Sequence, residues 1–303
     1  VSLQQGTGGN SKTHATPGTF RVLPRITGFT PGSGSSGDSV TVEGNHFCQN
    51  GGTCPTVFSA ADKVTFTSAI DATVFTSWTS IAMATQVPTS AATGNVVLTS
   101  NTTYTSNGKS FTVLSPTPSD PTSLNQYKNS GLTQAIATEA TASSTPIYLT
   151  MTMVTGVSGG TLYPQIEYKP IGTAFACSGT SACGSATTGT GVAGPGPVDC
   201  AVVGNACAIS ISPTDDVYHW QARVKHTKSA VDYYSAWVSS PTPTPNLETE
   251  IDFKIDTLAP TIAGVSSGTP GSNTATITWN TTGPPSETST SQVQYQAVPA
   301  ASC

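Results

Sequence analysis

The sequence predicts an all-β chain of tandem two-layer sandwiches, the last of them incomplete. Three observations carry that reading. Apolar and polar residues alternate in short runs, as where Val40, Val42 and Phe47 oppose Ser39, Thr41 and Glu43, the period-2 mark of a half-buried strand. Turns rich in Gly, Pro and Ser separate those runs, as in Thr30 to Gly37. The composition favours Thr, Val, Tyr and Ile over Lys, Glu and Leu, which suits pleated strands better than helices. At 303 residues the chain fits two to three domains of about 100 residues each.

Residues 1–23 form an N-terminal arm of Gly, Ser, Thr and Gln with isolated apolar residues. One reading is a leader without structure. The other is a strand that pairs outside its own domain, for which Phe20 and Val22 in the alternating run Thr19-Phe20-Arg21-Val22-Leu23 are the candidates. The chain begins Val1-Ser2-Leu3 with no initiator Met, as expected of a processed N-terminus.

Residues 24–115 are expected to form the first sandwich. An entry strand from Pro24 to Phe29, the Gly-rich turn and a second strand from Asp38 to Phe47 open it. Further alternating runs follow at Lys63–Phe66, Thr73–Phe75, Ser77–Met83, Gly94–Thr99 and Gly108–Leu114. The order P-x-I-x-x-F-x-P-x-x-G, then G-x-x-V-x-V-x-G-x-x-F, resembles the opening of the immunoglobulin-like IPT/TIG domain. That resemblance implies an extracellular module and makes Trp78 a core residue; a sugar-stacking platform is the alternative for Trp78.

Residues 116–123 carry three prolines and no apolar pattern, as a stiff linker would. Residues 124–257 are the second expected sandwich. Its strands read at Leu124–Tyr127, Pro146–Met153, Leu162–Lys169, Ala208–Ile211, Val217–His226, Ser235–Val238 and Ile251–Ile255. The runs Y-x-W-x-A-R-V, from Tyr218, and S-x-W-V, from Ser235, resemble the last strands of fibronectin type III-like domains of bacterial surface proteins. By that resemblance Tyr218 is a tyrosine corner, its hydroxyl bonding backbone upstream. Alternation puts Trp220, Ala222 and Val224 on one face and His219, Gln221, Arg223 and Lys225 on the other, facing solvent. Residues 258–303 open a third, partial domain of similar type. Asp256–Ile262 resembles the entry phrase of fibronectin type III modules, and Thr274–Trp279 and Ser291–Tyr295 their next strands. Three strands fall short of the roughly seven such a sandwich needs, so the chain continues or another copy completes the sheet.

Seven cysteines form three close pairs and one remainder. Cys48 and Cys54, Cys177 and Cys183, and Cys200 and Cys207 read as local disulfides, although Cys177 with Cys207 and Cys183 with Cys200 is an open alternative. Cys303 is unpaired within the chain or pairs between chains. Their spacing is wider than zinc sites use, and disulfides imply an oxidising compartment. No apolar run reaches 18 residues, so no membrane-spanning helix is expected. A net charge of −5 gives no basic surface for nucleic acid or for an anionic membrane.

No constellation of catalytic residues stands out. His14, His46, His219 and His226 are scattered outside metal spacing. Asp215 and Asp216 read as turn formers before they read as calcium ligands. The Gly runs lack a P-loop lysine, and no serine sits in G-x-S-x-G. Asn101-Thr102-Thr103 and Asn280-Thr281-Thr282 fit glycosylation sequons. The reading is therefore a secreted or cell-surface structural or adhesive protein without cofactors. Its expected partners are copies of itself in a filament or layer, and surface glycans. The rival readings are a non-catalytic ancillary region of a longer secreted enzyme, since the third domain also resembles the β-domain preceding some metallophosphatases, and a carbohydrate-binding module with exposed aromatics.

Overall fold

The computed structural model describes residues 22–48, 53–202, 204, 206–239, 249–259, 261–269, 271 and 274–282. Among the described residues every regular element is a strand, and the chain is all-β. It divides into two units, Val1–Leu114 and Ser115–Cys303.

In the first unit the alternating runs become β1 (Arg25–Thr30), β2 (Ser33–Gly34), β3 (Ser39–Asn45), β4 (Lys63–Thr67), β5 (Ile70–Asp71), β6 (Phe75–Trp78), β7 (Ala82–Gln86), β8 (Ala92–Ser100), β9 (Tyr104–Thr105) and β10 (Lys109–Val113). They form two layers. One has the order β1-β3-β7-β6; the other runs β2-β10-β8-β4-β5, with β9 on β8. Alternation sends Ile26, Val40, Val42 and Met83 from the first layer, and Val64, Phe66, Leu98 and Phe111 from the second, into one core. Burying each such side chain stabilises by roughly 1.5–3 kcal/mol. Phe111 lies edge-on to Phe29 and Phe66 at 5.2 and 5.8 Å. Trp78 is buried in this core, and its indole N–H donates to the Phe47 carbonyl at 3.2 Å. Gly44 is required where β1 bulges between Ile26 and Gly28: a Cβ there would run into the Arg25 carbonyl and the Phe47 ring.

The second unit contains β11 (Thr122–Tyr127), β12 (Thr141–Ala142), β13 (Ile147–Met153), β14 (Thr161–Pro170), β15 (Thr187–Thr188), β16 (Val192–Ala193), β17 (Val198–Asp199), β18 (Ile209–Ile211), β19 (Asp216–Lys228), β20 (Val231–Tyr234), β21 (Val238–Ser239) and β22 (Phe253–Ile255). One sheet is β11-β13-β17 with β18 on β13. The other is β12-β22-β19-β14-β15, with β16, β20 and β21 on its flanks. Its axis is the antiparallel pair β14–β19, in register from Thr161↔Thr227 to Pro170↔Tyr218. Leu149 and Met151 from one layer meet Ile166, Trp220, Ala222, Val224 and Phe253 from the other. The Tyr218 hydroxyl donates to the Thr214 carbonyl at 2.9 Å, and its ring stacks on Phe253 at 5.4 Å.

Residues 116–123 lie along this second sandwich. The Ser119 N–H donates to the Val154 carbonyl at 3.0 Å, and Asp120 accepts from the Ala236 N–H at 2.9 Å. Thr122 already belongs to β11. After Ala259 come β23 (Thr261–Ser267) and β24 (Ile277–Thr282), paired only with each other among the described residues. The third alternating run, Ser291–Tyr295, lies outside the described residues.

One expectation needs correction. His219, Gln221 and Arg223 do not face solvent; all three are buried, and Lys225 is half-buried. Alternation did place them opposite Trp220 and Ala222. The cysteine-clipped segment that follows β14 then folds back over that outer face.

Candidate functional site

Three places in the fold concentrate chemistry or uncovered apolar surface. They are the covered outer face of β14–β19, the β6 edge of the first sandwich, and the β23–β24 hairpin.

On the outer face, register pairs Glu167 with Gln221, Gln165 with Arg223 and Tyr163 with Lys225. The Glu167 carboxylate accepts the Ala176 N–H at 2.9 Å, the Cys177 N–H at 3.0 Å and the Gln221 amide at 3.0 Å. Lys169 Nζ stands 3.5 Å from it. Gln221 also donates to the Cys177 carbonyl at 2.9 Å. Arg223 Nε donates to Gln165 at 2.8 Å and Nη1 to the Ser181 carbonyl at 2.6 Å. The Arg223 guanidinium carbon sits 4.2 Å from the Tyr234 ring centroid and 4.5 Å from that of Trp237, a doubly stacked cation–π arrangement. Lys225 Nζ lies 4.6 Å from the Tyr163 ring. Burial pushes the Arg223 guanidinium below its ordinary value, though an arginine stays charged at any working pH. His219 donates from Nε2 to the Thr173 carbonyl at 2.9 Å and stacks on Phe175 at 4.3 Å.

Chemically this layer is a clamp. The Glu167 carboxylate, accepting two backbone N–H groups and an amide, holds the loop to the sheet. The Cys177–Cys183 bridge closes the same loop. His219, Gln221 and Arg223, expected at the solvent face, are buried here together with Glu167 and Gln165, which the motifs did not single out. The available signal was Glu167 and Gln165 alternating with Ile166 on a strand that pairs with β19.

The structure forms Cys48–Cys54, Cys177–Cys183 and Cys200–Cys207. Among the middle four cysteines the local pairing holds over the crossed one. Phe20 and Cys303 lie outside the described residues. Val22 is described and is 44% exposed. Among the described residues no three His, Cys, Asp or Glu side chains gather as a metal group, and no helix is long and apolar enough to cross a membrane.

The β6 edge is flanked by exposed Val57, Val74 and Ile81. Half-buried Phe58 and Phe75 meet edge-on at 5.3 Å, and Phe58 lies 6.1 Å from Trp78. On the hairpin every residue of β23 is exposed, including Ile262 at 59% and Val265 at 66%. Ile277 on β24 and Leu258 just before the hairpin are exposed as well.

The fold and these surfaces define a class: an all-β protein of packed β-sheet layers, stapled by local disulfides of the kind that persist in oxidising compartments. No protein-family model and no curated protein matches the chain. It is similar to a solved structure described as a crystal structure with xylogluco-oligosaccharide, at 13% identity and a TM-score of 0.26. The match covers 86% of this chain and 47% of that one, so the chain spans about half the length of that protein.

Proposed function

We propose that the chain is a non-catalytic structural or adhesive protein of the extracellular space, assembled with copies of itself through contacts between β-sandwiches. The observation that carries this reading is the β23–β24 hairpin. Two strands alone are marginal in water. Here they also present Ile262, Val265 and Ile277 to solvent, the kind of apolar surface that marks an interaction site. Immunoglobulin-like and fibronectin type III-like modules, which the sequence resembles, suit such a role. The buried polar layer supports it too, because Glu167, Gln221 and Arg223 are engaged in holding a loop.

The test is sedimentation velocity of the full chain over a range of concentrations, beside an Ile262→Ser/Val265→Ser variant. The expected result is concentration-dependent association that the variant weakens by tenfold or more. A chain monomeric at every concentration overturns the reading and favours an ancillary region of a longer secreted enzyme.

A second reading, glycan binding, is favoured by half-exposed Tyr163, Tyr234 and Trp237 beside Lys225 on the outer sheet face. Lys225 and Arg223 already occupy positions over these rings, which ranks it below assembly. A glycan array with the Trp237→Ala variant as control decides it.

A further inference from the structure

The four-stranded layer β1-β3-β7-β6 has two edges, and the protein treats them differently. At β1 the Asn107 carboxamide accepts the Ile26 N–H at 2.8 Å and donates to the Ile26 carbonyl at 3.1 Å. One side chain thereby takes the place of a neighbouring strand, and Pro24 precedes the edge with no N–H to offer. At β6 no described strand lies on the outer side. Its sequence, Phe75-Thr76-Ser77-Trp78, is short and carries no charge and no proline, two of the usual protections of an edge. Only the register shift between Phe75 and Ser77 interrupts it. Thr73, Val74, Thr76 and Ser77 are all exposed. Val57, next in sequence to the Phe58 that meets Phe75, is 64% exposed.

We infer that the β6 edge receives an extended strand from a second copy of this chain, supplied by residues 19–23. This rests on the assembly reading above and names a site for it. The donor is argued from its pattern and its exposure. Thr19-Phe20-Arg21-Val22-Leu23 alternates as a strand does, and in the described part Val22 is 44% and Leu23 56% exposed. An added strand supplies backbone hydrogen bonds to the open edge, while alternate side chains enter apolar pockets. Phe20 and Val22 would meet the Phe58–Phe75 surface, and Arg21 would point away from it. The donor precedes β1 and the acceptor is β6, at opposite edges of one sheet, roughly 14 Å apart at ~4.8 Å per strand. Donor and acceptor are different surfaces, so each copy can receive one arm and give another. A contact of that kind that does not close on itself builds a filament.

The experiment uses the full chain. Thr76→Lys places a charge on the acceptor edge at an exposed position, and Val22→Asp does the same on the donor. Each is expected to weaken self-association by tenfold or more, with thermal unfolding unchanged. A third measurement mixes an Arg21→Cys chain with an isotope-labelled Thr76→Cys chain, since both positions would share the outer face. Under mild oxidation, mass spectrometry is expected to find a disulfide between labelled and unlabelled copies. Undiminished association in both charged variants, or no cross-link between copies, overturns the β6 assignment while leaving assembly through the hairpin standing. A wild-type chain that never associates overturns both.

Discussion

Asn107 caps Ile26. Its side-chain amide meets both the N–H and the carbonyl of that residue, 81 positions away in sequence. The pair closes one edge of the first sandwich; at the other edge no described strand pairs with the outer side of β6.

Asn107→Ala removes two hydrogen bonds at a partly exposed position, so it is expected to cost about 1 kcal/mol. Urea unfolding of the full chain measures this. The same variant opens the β1 edge, so light scattering is expected to show larger aggregates than wild type at equal concentration.

Glu167→Ala leaves the Ala176 and Cys177 N–H groups and the Gln221 amide without their acceptor. Arg223→Met removes a buried cation stacked between Tyr234 and Trp237. Each is expected to destabilise the second unit by roughly 2–4 kcal/mol. The double variant is expected to cost less than the sum, because both side chains hold the same loop. Additive losses would mean that the two ends of the clamp work independently.

Reduction tests the staples. Each bridge closes a ring of six or seven positions, which stabilises by roughly 2 kcal/mol in the chain-entropy model. Adding reductant is therefore expected to lower the denaturant midpoint. Peptide mapping without reduction is expected to return Cys48 with Cys54, Cys177 with Cys183 and Cys200 with Cys207. Free thiols at those positions in native protein would remove the argument for an oxidising compartment.

Two surface carboxylates carry a pH dependence of known sign. Asp71 is held below the ordinary aspartate value first by the Thr65 hydroxyl and then by Lys63. Asp232 is held down first by the Thr227 hydroxyl, with Lys225 adding to it. A depressed carboxylate stabilises the fold above the ordinary aspartate pKa, and that contribution is lost as pH falls through the lower folded value. Both side chains are substantially exposed, so the contribution is small and screened by salt. Carbon-detected NMR titration is expected to show Asp71 and Asp232 titrating below exposed reference carboxylates, and Thr65→Val is expected to raise Asp71. An unchanged Asp71 in that variant would assign the depression to Lys63.

The layers were legible in the sequence because burial in a strand leaves a period of two. Val40 and Val42, Val64 and Phe66, and Trp220, Ala222 and Val224 all reach their cores by that rule. Trp78 and Tyr218 were legible as core residues from the motifs around them. The outer face of β19 was not. Period-2 alternation says which residues share a face, but not whether anything covers it. The cover here is the segment around Cys177 and Ser181, about forty positions before Gln221 and Arg223. A polar residue facing a loop and one facing water give the same sequence pattern.

By itself, then, the sequence determined the strand character, the inward faces and the capacity for disulfides, since these follow from side-chain period, turn residues and short cysteine spacings. Which cysteines of the middle four join, which polar residues are buried and which sheet edge has no described neighbour came from the packing of the folded chain. Those outcomes depend on long-range approach: Asn107 reaching Ile26, Glu167 reaching the Cys177 N–H, and no described strand pairing with the outer side of β6. Hydrogen bonds between distant segments are set by how the layers stack, and stacking leaves no local periodicity to read.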